Sequence, residues 1–228
     1  MVSRSKLLGI TPLMLVVMLS IVGVAYSHWM DSITIEATVN MGSLTLAFYS
    51  YEPPACLEYH EVDGKLFPGE CEGKDVGKCE AWYDDPVTDD HTGKSGYKTL
   101  VINITNAYPQ YIVHVIFVIH NIGTIPIDVA GFNITGEKRK GDEYICDLLW
   151  DGSGLWEDLN KNGVIDEGDK EVINLSITDT DLIPFQLDPC NKNKMEIDFE
   201  FKQEAEECHT YIIVVTIYGV QWNKSLEV

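Results

Sequence analysis

The sequence predicts an all-β protein, an antiparallel jelly-roll-like β-sandwich of about eight strands that carries a disulfide-stapled loop insertion. Period-2 alternation of apolar and polar residues recurs from Ile33 to Tyr218. Two segments, Ile112–His120 and Tyr211–Tyr218, are apolar on both parities, as central strands covered on both faces are. No segment of helical length carries a 3.6-residue period.

The elements follow in order. Arg4 and Lys6 precede an apolar run from Leu7 to Ala25, and Ala25-Tyr26-Ser27 supplies small residues before a cut after Ser27. Residues 1–27 therefore read as a secretory signal peptide. The competing reading keeps the run as a membrane anchor, for which it is near the minimum length; Pro12 and the small residues before His28 favour cleavage. Residues 28–41 form an N-terminal strand in which Ile33, Ile35, Ala37 and Val39 share one apolar face. Gly42-Ser43 breaks the phase, and Leu44, Leu46 and Phe48 resume it on the other parity.

Residues 42–228 form the sandwich domain. Its stretch 51–96 holds Pro53-Pro54, six glycines, three cysteines and the acidic run Asp84–Asp90, and reads as an insertion rather than core. Strands follow at Leu100/Ile102/Ile104 and Ile112–His120, then at Ile125/Ile127/Val129 after a turn at 121–124. Phe132/Ile134, Ile173/Leu175/Ile177, Met195–Lys202 and Tyr211–Trp222 complete the set.

The formal charge of −20 becomes −22 once Arg4 and Lys6 are removed. Such acidity excludes nucleic acid and anionic membrane surfaces as partners and favours divalent cations. Cys56, Cys71, Cys79, Cys146, Cys190 and Cys208 form an even set in an exported chain without tight metal-type spacing, so all are disulfide candidates. Of the possible pairings, spacing suggests a local Cys71–Cys79 loop and a Cys190–Cys208 clip across a hairpin. Four Asn-x-Ser/Thr sequons begin at Asn103, Asn133, Asn174 and Asn223, glycosylation candidates of a surface protein.

The sharpest motif spans 158–169. Asp158, Asn160, Asn162, Asp166 and Asp169 place side-chain oxygens at positions 1, 3, 5, 9 and 12 of a twelve-residue loop, with Gly163 at 6. Val164, at 7, offers its carbonyl. This is the EF-hand-type Ca2+ pattern, with Asp instead of Glu at the last position as in dockerin-like loops. No amphipathic helix pair flanks it, so a structural calcium is expected. The histidines are scattered: His60-Glu61 lacks a second histidine four residues on, and no nucleophile elbow or phosphate loop appears. The chain is not expected to be an enzyme.

Three stretches together resemble the TasA/camelysin family of exported β-sandwich proteins, including the archaeal bundling-pilus subunits. They are Ala25–Leu44 with its Trp-x-Asp and closing Gly-x-Leu, Tyr108–Tyr111 leading to Asn121–Pro126, and the terminal Thr210–Trp222. The resemblance implies a jelly-roll subunit that polymerises outside the cell by donor-strand complementation. Residues 28–41 would then be the donor, and Ile33, Ile35, Ala37 and Val39 its pocket residues. Camelysins have been described as metalloproteases, but no zinc-hydrolase motif is present, and that activity is not carried over. The expected function is a secreted filament, pilus or biofilm-matrix subunit that partners itself and meets a membrane only through its signal segment. The alternative is a monomeric, calcium-stabilised surface or adhesion module.

Overall fold

The computed structural model describes residues 12–21, 41–62, 65–68, 77–178 and 185–221. Contacts divide the chain into two units, Met1–Met41 and Gly42–Val228. In the first, residues 12–21 are helical with every side chain exposed. No described helix is long and apolar enough to cross a membrane. The expected cut after Ser27 and the strand residues Ile33, Ile35, Ala37 and Val39 lie outside the described residues.

The second unit is antiparallel β throughout, as the alternation predicts. Its strands are β1 (Leu46–Phe48), β2 (Ala55–Val62), β3 (Lys65–Pro68), β4 (Lys78–Thr88), β5 (Ser95–Thr105), β6 (Tyr111–Asn121) and β7 (Ile127–Lys140). After them come β8 (Glu143–Trp150), β9 (Gly154–Glu157), β10 (Lys170–Thr178), β11 (Phe185–Leu187), β12 (Lys192–Phe201) and β13 (Thr210–Gln221). These thirteen described strands belong to one hydrogen-bonded sheet whose main path runs β1-β5-β13-β7-β8-β9-β10-β12-β6-β2-β3, with β11 paired to β7 and β4 to β5 off that path. β1 also pairs with β6, through Leu46↔Asn121 and Phe48↔Ile119. The path therefore closes on itself, and the short β1 is the clasp between β5 and β6.

Alternation sets the core. On β12, Met195, Ile197, Phe199 and Phe201 point inward while Glu196, Asp198 and Glu200 face out. β6 alternates over its first half and is buried continuously from Phe117 to Ile119, where both parities are apolar. Phe48, Phe117 and Phe132 meet edge to face at centroid distances of 5.6 and 6.2 Å, which ties β1, β6 and β7 together.

The stretch 51–96 is more ordered than its composition suggests. Three strands arise in it, β2 and β3 added beyond β6 and β4 added beyond β5. Edge positions tolerate the prolines and glycines that a central strand would not. The staple is present, but Cys79 bonds Cys56 rather than Cys71, joining β4 to β2 with Cα atoms 6.0 Å apart. Cys71 lies outside the described residues. Cys190 and Cys208 are exposed free thiols and Cys146 is a buried one, so the expected Cys190–Cys208 clip is not made. The reason is geometric: Cys190 N–H donates to Asn121 O at the start of β12, whereas Cys208 lies past its end, next to His209, whose carbonyl accepts from Asn106 N–H. A strand of ten residues separates them, about 33 Å at ~3.3 Å per residue, far beyond disulfide reach.

The turn expected at 121–124 is built around Asn121, fully buried. Its Nδ2 donates to the carbonyls of Ile125 (2.8 Å) and Leu187 (2.9 Å), and its Oδ1 accepts from Gly123 N–H (3.0 Å). A Cβ on Gly123 would lie 2.5 Å from the Ser43 carbonyl oxygen, so only glycine lets the segment leading into β1 pass.

Candidate functional site

The loop 158–169 runs from the end of β9 into β10, and its five side-chain positions turn toward one another. Asp158, 1% exposed, accepts from Asn162 N–H (Oδ1, 3.1 Å) and Gly163 N–H (Oδ2, 2.7 Å). Asn160 Oδ1 accepts from Asn162 N–H at 3.0 Å, and Asn162 Oδ1 from Val164 N–H at 2.7 Å. Both carboxamides donate to Asp166 Oδ2, at 2.8 and 2.7 Å. Asp169 closes the loop from the far end, accepting from Leu159 N–H (3.1 Å) and Asp166 N–H (2.9 Å). Gly163 has φ +74°, the left-handed turn that the sixth position requires. Gly168 N–H and the Asn160 and Asn162 amides hold the Asp166 carboxyl below its usual range.

Among the described residues, no group of three or more His, Cys, Asp or Glu side chains is placed to hold a metal, the three carboxylates of this loop included. By residue type the loop offers three carboxylates, two carboxamides and the Val164 carbonyl. Six oxygens suit a hard cation, and a half-turn of each carboxamide exchanges its donor for an acceptor. The residues fit calcium on that count.

The loop is anchored by a buried ion cluster that sequence reading missed. Lys138 on β7 is 1% exposed, with Nζ 2.8 Å from Glu157 Oε1 and 2.9 Å from Glu206 Oε2. Burial disfavours its charge, but the two carboxylates outweigh that and hold its pKa above the usual lysine value. The signal was there: Lys138 falls on the inward parity of Phe132, Ile134 and Gly136. Glu157 immediately precedes Asp158, so the first position of the loop is attached to a fixed point.

The second feature is a gap in the sheet. One edge of β7 pairs with β11 at Ile127–Val129 and with β8 from Gly136 onward. Between them, residues 130–135 have no strand partner on that edge among the described residues. Opposite, β9 pairs with β10 only as far as Asn174, and Leu175 N–H donates to Ser153 O. The facing edge from Ser176 to Thr178 is likewise open among the described residues. The groove between these edges has a volume of ≈ 510 Å³ and is lined by Phe132, Trp150, Leu175, Ile177 and Tyr218, with the β8–β9 turn at Gly152. Phe132, Leu175 and Ile177 also belong to the core, and Tyr218 is 52% exposed. Trp150 Nε1, buried in the wall, has no hydrogen-bond partner among the described residues. A buried unpaired donor is costly.

The remaining candidates scatter. Asn133 on β7 and Asn174 on β10 are exposed, Asn103 on β5 is half-buried, and Asn223 lies outside the described residues. His114 and His120 share the outward parity of β6, as expected. His114 Nδ1 lies 2.5 Å from Asp198 Oδ1, and Nε2 lies 3.5 Å from Glu196.

No family model matches this chain, and searches of curated proteins and of solved structures found no match.

Proposed function

We propose that this protein is a secreted structural subunit of an extracellular filament, a pilus or biofilm-matrix fibre. It polymerises head to tail by donor-strand complementation, on a jelly-roll-like sandwich stabilised by calcium in the loop 158–169. The observation that carries this reading is the groove between β7 and β10. It is floored by apolar side chains and bounded by two strand edges that have no strand partner among the described residues. An extended segment with alternate apolar residues suits both features, because main-chain bonds give affinity and alternate side chains fill pockets. Residues 28–41 are such a segment, with Ile33, Ile35, Ala37 and Val39 on one face. The resemblance to TasA/camelysin proteins supports the same assignment. A strand passed from each subunit to the next is a heterologous contact that need not close, and so gives a fibre.

Calcium serves this reading in two ways. It ties β9 to β10 through the loop, and it offsets the formal charge that subunits must bring together, −20 for the full chain and −22 once Arg4 and Lys6 are removed.

The test is negative-stain electron microscopy of the signal-cleaved protein in calcium and in chelator, with a variant lacking residues 28–41. Filaments are expected from the intact protein in calcium, and a folded monomer from the deletion. A synthetic peptide of residues 30–41 should bind that monomer and raise its Tm, while a peptide with Ile35→Glu and Val39→Glu should not. Filaments that persist without residues 28–41 overturn strand exchange. Single small particles throughout transfer the reading to a monomeric surface module.

A further inference from the structure

We propose that Asn133 and Asn174, and not Asn103, carry N-linked oligosaccharides that screen the two strand edges of the groove that are unpaired among the described residues. In a β-strand the asparagine of a sequon and the hydroxyl residue two positions on share one face, so the fold accepts or rejects the sequon as a unit. On β7, Asn133 and Thr135 are both exposed, and they sit in the middle of the unpaired edge. On β10, Asn174 and Ser176 are both exposed, the serine at the start of the open stretch. Asn174 Nδ2 is held only by a long contact of 3.3 Å to Glu200.

Asn103 differs in every respect. It lies between β4 and β13, opposite Glu80 and Ile212. It and Thr105 are only half-exposed, and its Oδ1 is sealed from solvent without a hydrogen-bond partner among the described residues. A sugar on its Nδ2 would have to rise past the side chains of Glu80 and Ile212 on the flanking strands.

The transfer needs a lipid-linked oligosaccharide as donor. The Asn Nδ2 bonds to C1 of the first sugar, the C1–O bond to the lipid phosphate breaks, Nδ2 releases one proton, and the lipid phosphate departs. The sugar would stand on the outer face, because Phe132 and Ile134 alternate inward from Asn133 as Leu175 does from Asn174. The groove floor stays open to a strand lying in the plane of the sheet, while the bare edges are fenced from other chains. Unpaired edges otherwise template aggregation.

Intact-glycopeptide mass spectrometry of the protein purified from its native host tests the assignment. Sugar mass is expected on the peptides of Asn133 and Asn174 and absent from that of Asn103. Unmodified Asn133 and Asn174, or sugar at Asn103, overturns it. The screen is tested with Asn133→Gln/Asn174→Gln and, independently, Thr135→Ala/Ser176→Ala, which remove acceptor function from either end of the sequon. Both should raise light scattering of the freshly purified subunit several-fold over the glycosylated protein. Scattering unchanged in both discards screening. Occupancy is read without reference to polymerisation, so occupied sites on a protein that never forms filaments would count against the strand-exchange reading alone.

Discussion

Asp89 and Lys138 are buried charged residues that tie distant segments of the chain together. Asp89, 3% exposed, sits in the β4–β5 turn, where it accepts from Thr45 Oγ1 (2.6 Å) and the N–H groups of His91 (3.0 Å) and Thr92 (2.9 Å). Burial works against its charge, but the donors from Thr45, Ser43 and Thr92 prevail and hold its carboxyl well below the usual carboxylate range. A carboxylate depressed in the folded state contributes stability that is complete above its unfolded value near pH 4 and is lost as the pH falls. Asp89→Ala should therefore cost about 2 kcal/mol at neutral pH, or ~4–8 °C in Tm. Thermal unfolding followed by circular dichroism should show the gap to the parent protein narrowing below about pH 4. Lys138→Ala should cost ~3–5 kcal/mol because it strands Glu157, and Lys138→Met with Glu157→Leu should recover most of that loss in a denaturant titration. The alternation of β7 carries Lys138 to the inward parity, a signal the sequence reading passed over, but no local pattern names Glu157 and Glu206, which reach it only through the folding of distant strands. The calcium-type positions were legible because a single local turn brings them together.

At the scale of elements, strands with clean alternation, such as β12, could be read directly from their residues. The stretch 51–96 could not, because its prolines and glycines speak of loop while Cys79, Ala81 and Tyr83 quietly alternate toward the core. The Cys56–Cys79 bond spans 23 residues of chain between β2 and β4, a closure worth about 3 kcal/mol. Cys56→Ser/Cys79→Ser should lower Tm by ~6–12 °C yet leave filaments visible in the microscope, since the bond lies away from the β7–β10 groove. The β8–β9 turn behaves differently, because it forms one end of that groove. Asp151 there accepts from the N–H groups of Ser153 and Gly154, at 2.8 Å each, and from Trp156 Nε1. Burial opposes its ionisation, but these donors win and hold its pKa at about 2. Asp151→Ala should loosen the turn and weaken binding of the 30–41 peptide, measured by calorimetry at neutral pH. The groove itself was invisible in sequence: an edge without a strand partner among the described residues is a property of pairing, and no local residue pattern encodes it.

For the whole molecule, charge and closure dominate. Calcium at a hundredfold excess over its Kd should add ~2.7 kcal/mol, seen as a rise of about 5–10 °C in Tm relative to chelator. Asp158→Ala/Asp169→Ala should abolish that rise and reduce filament yield. The closure of the sheet through β1 also governs how a fibre would respond to pulling. Tension carried along the chain from one subunit would enter the next at Gly42 and reach, within a few residues, a strand of three residues clasped between β5 and β6. Thr124 and Asp89 brace that entry through Ser43 and Thr45. The mechanical strength of the fibre would then be set at this short clasp rather than in the broad interior of the sheet. Overstretched fibres should fail by peeling β1 away while the remaining strands stay folded.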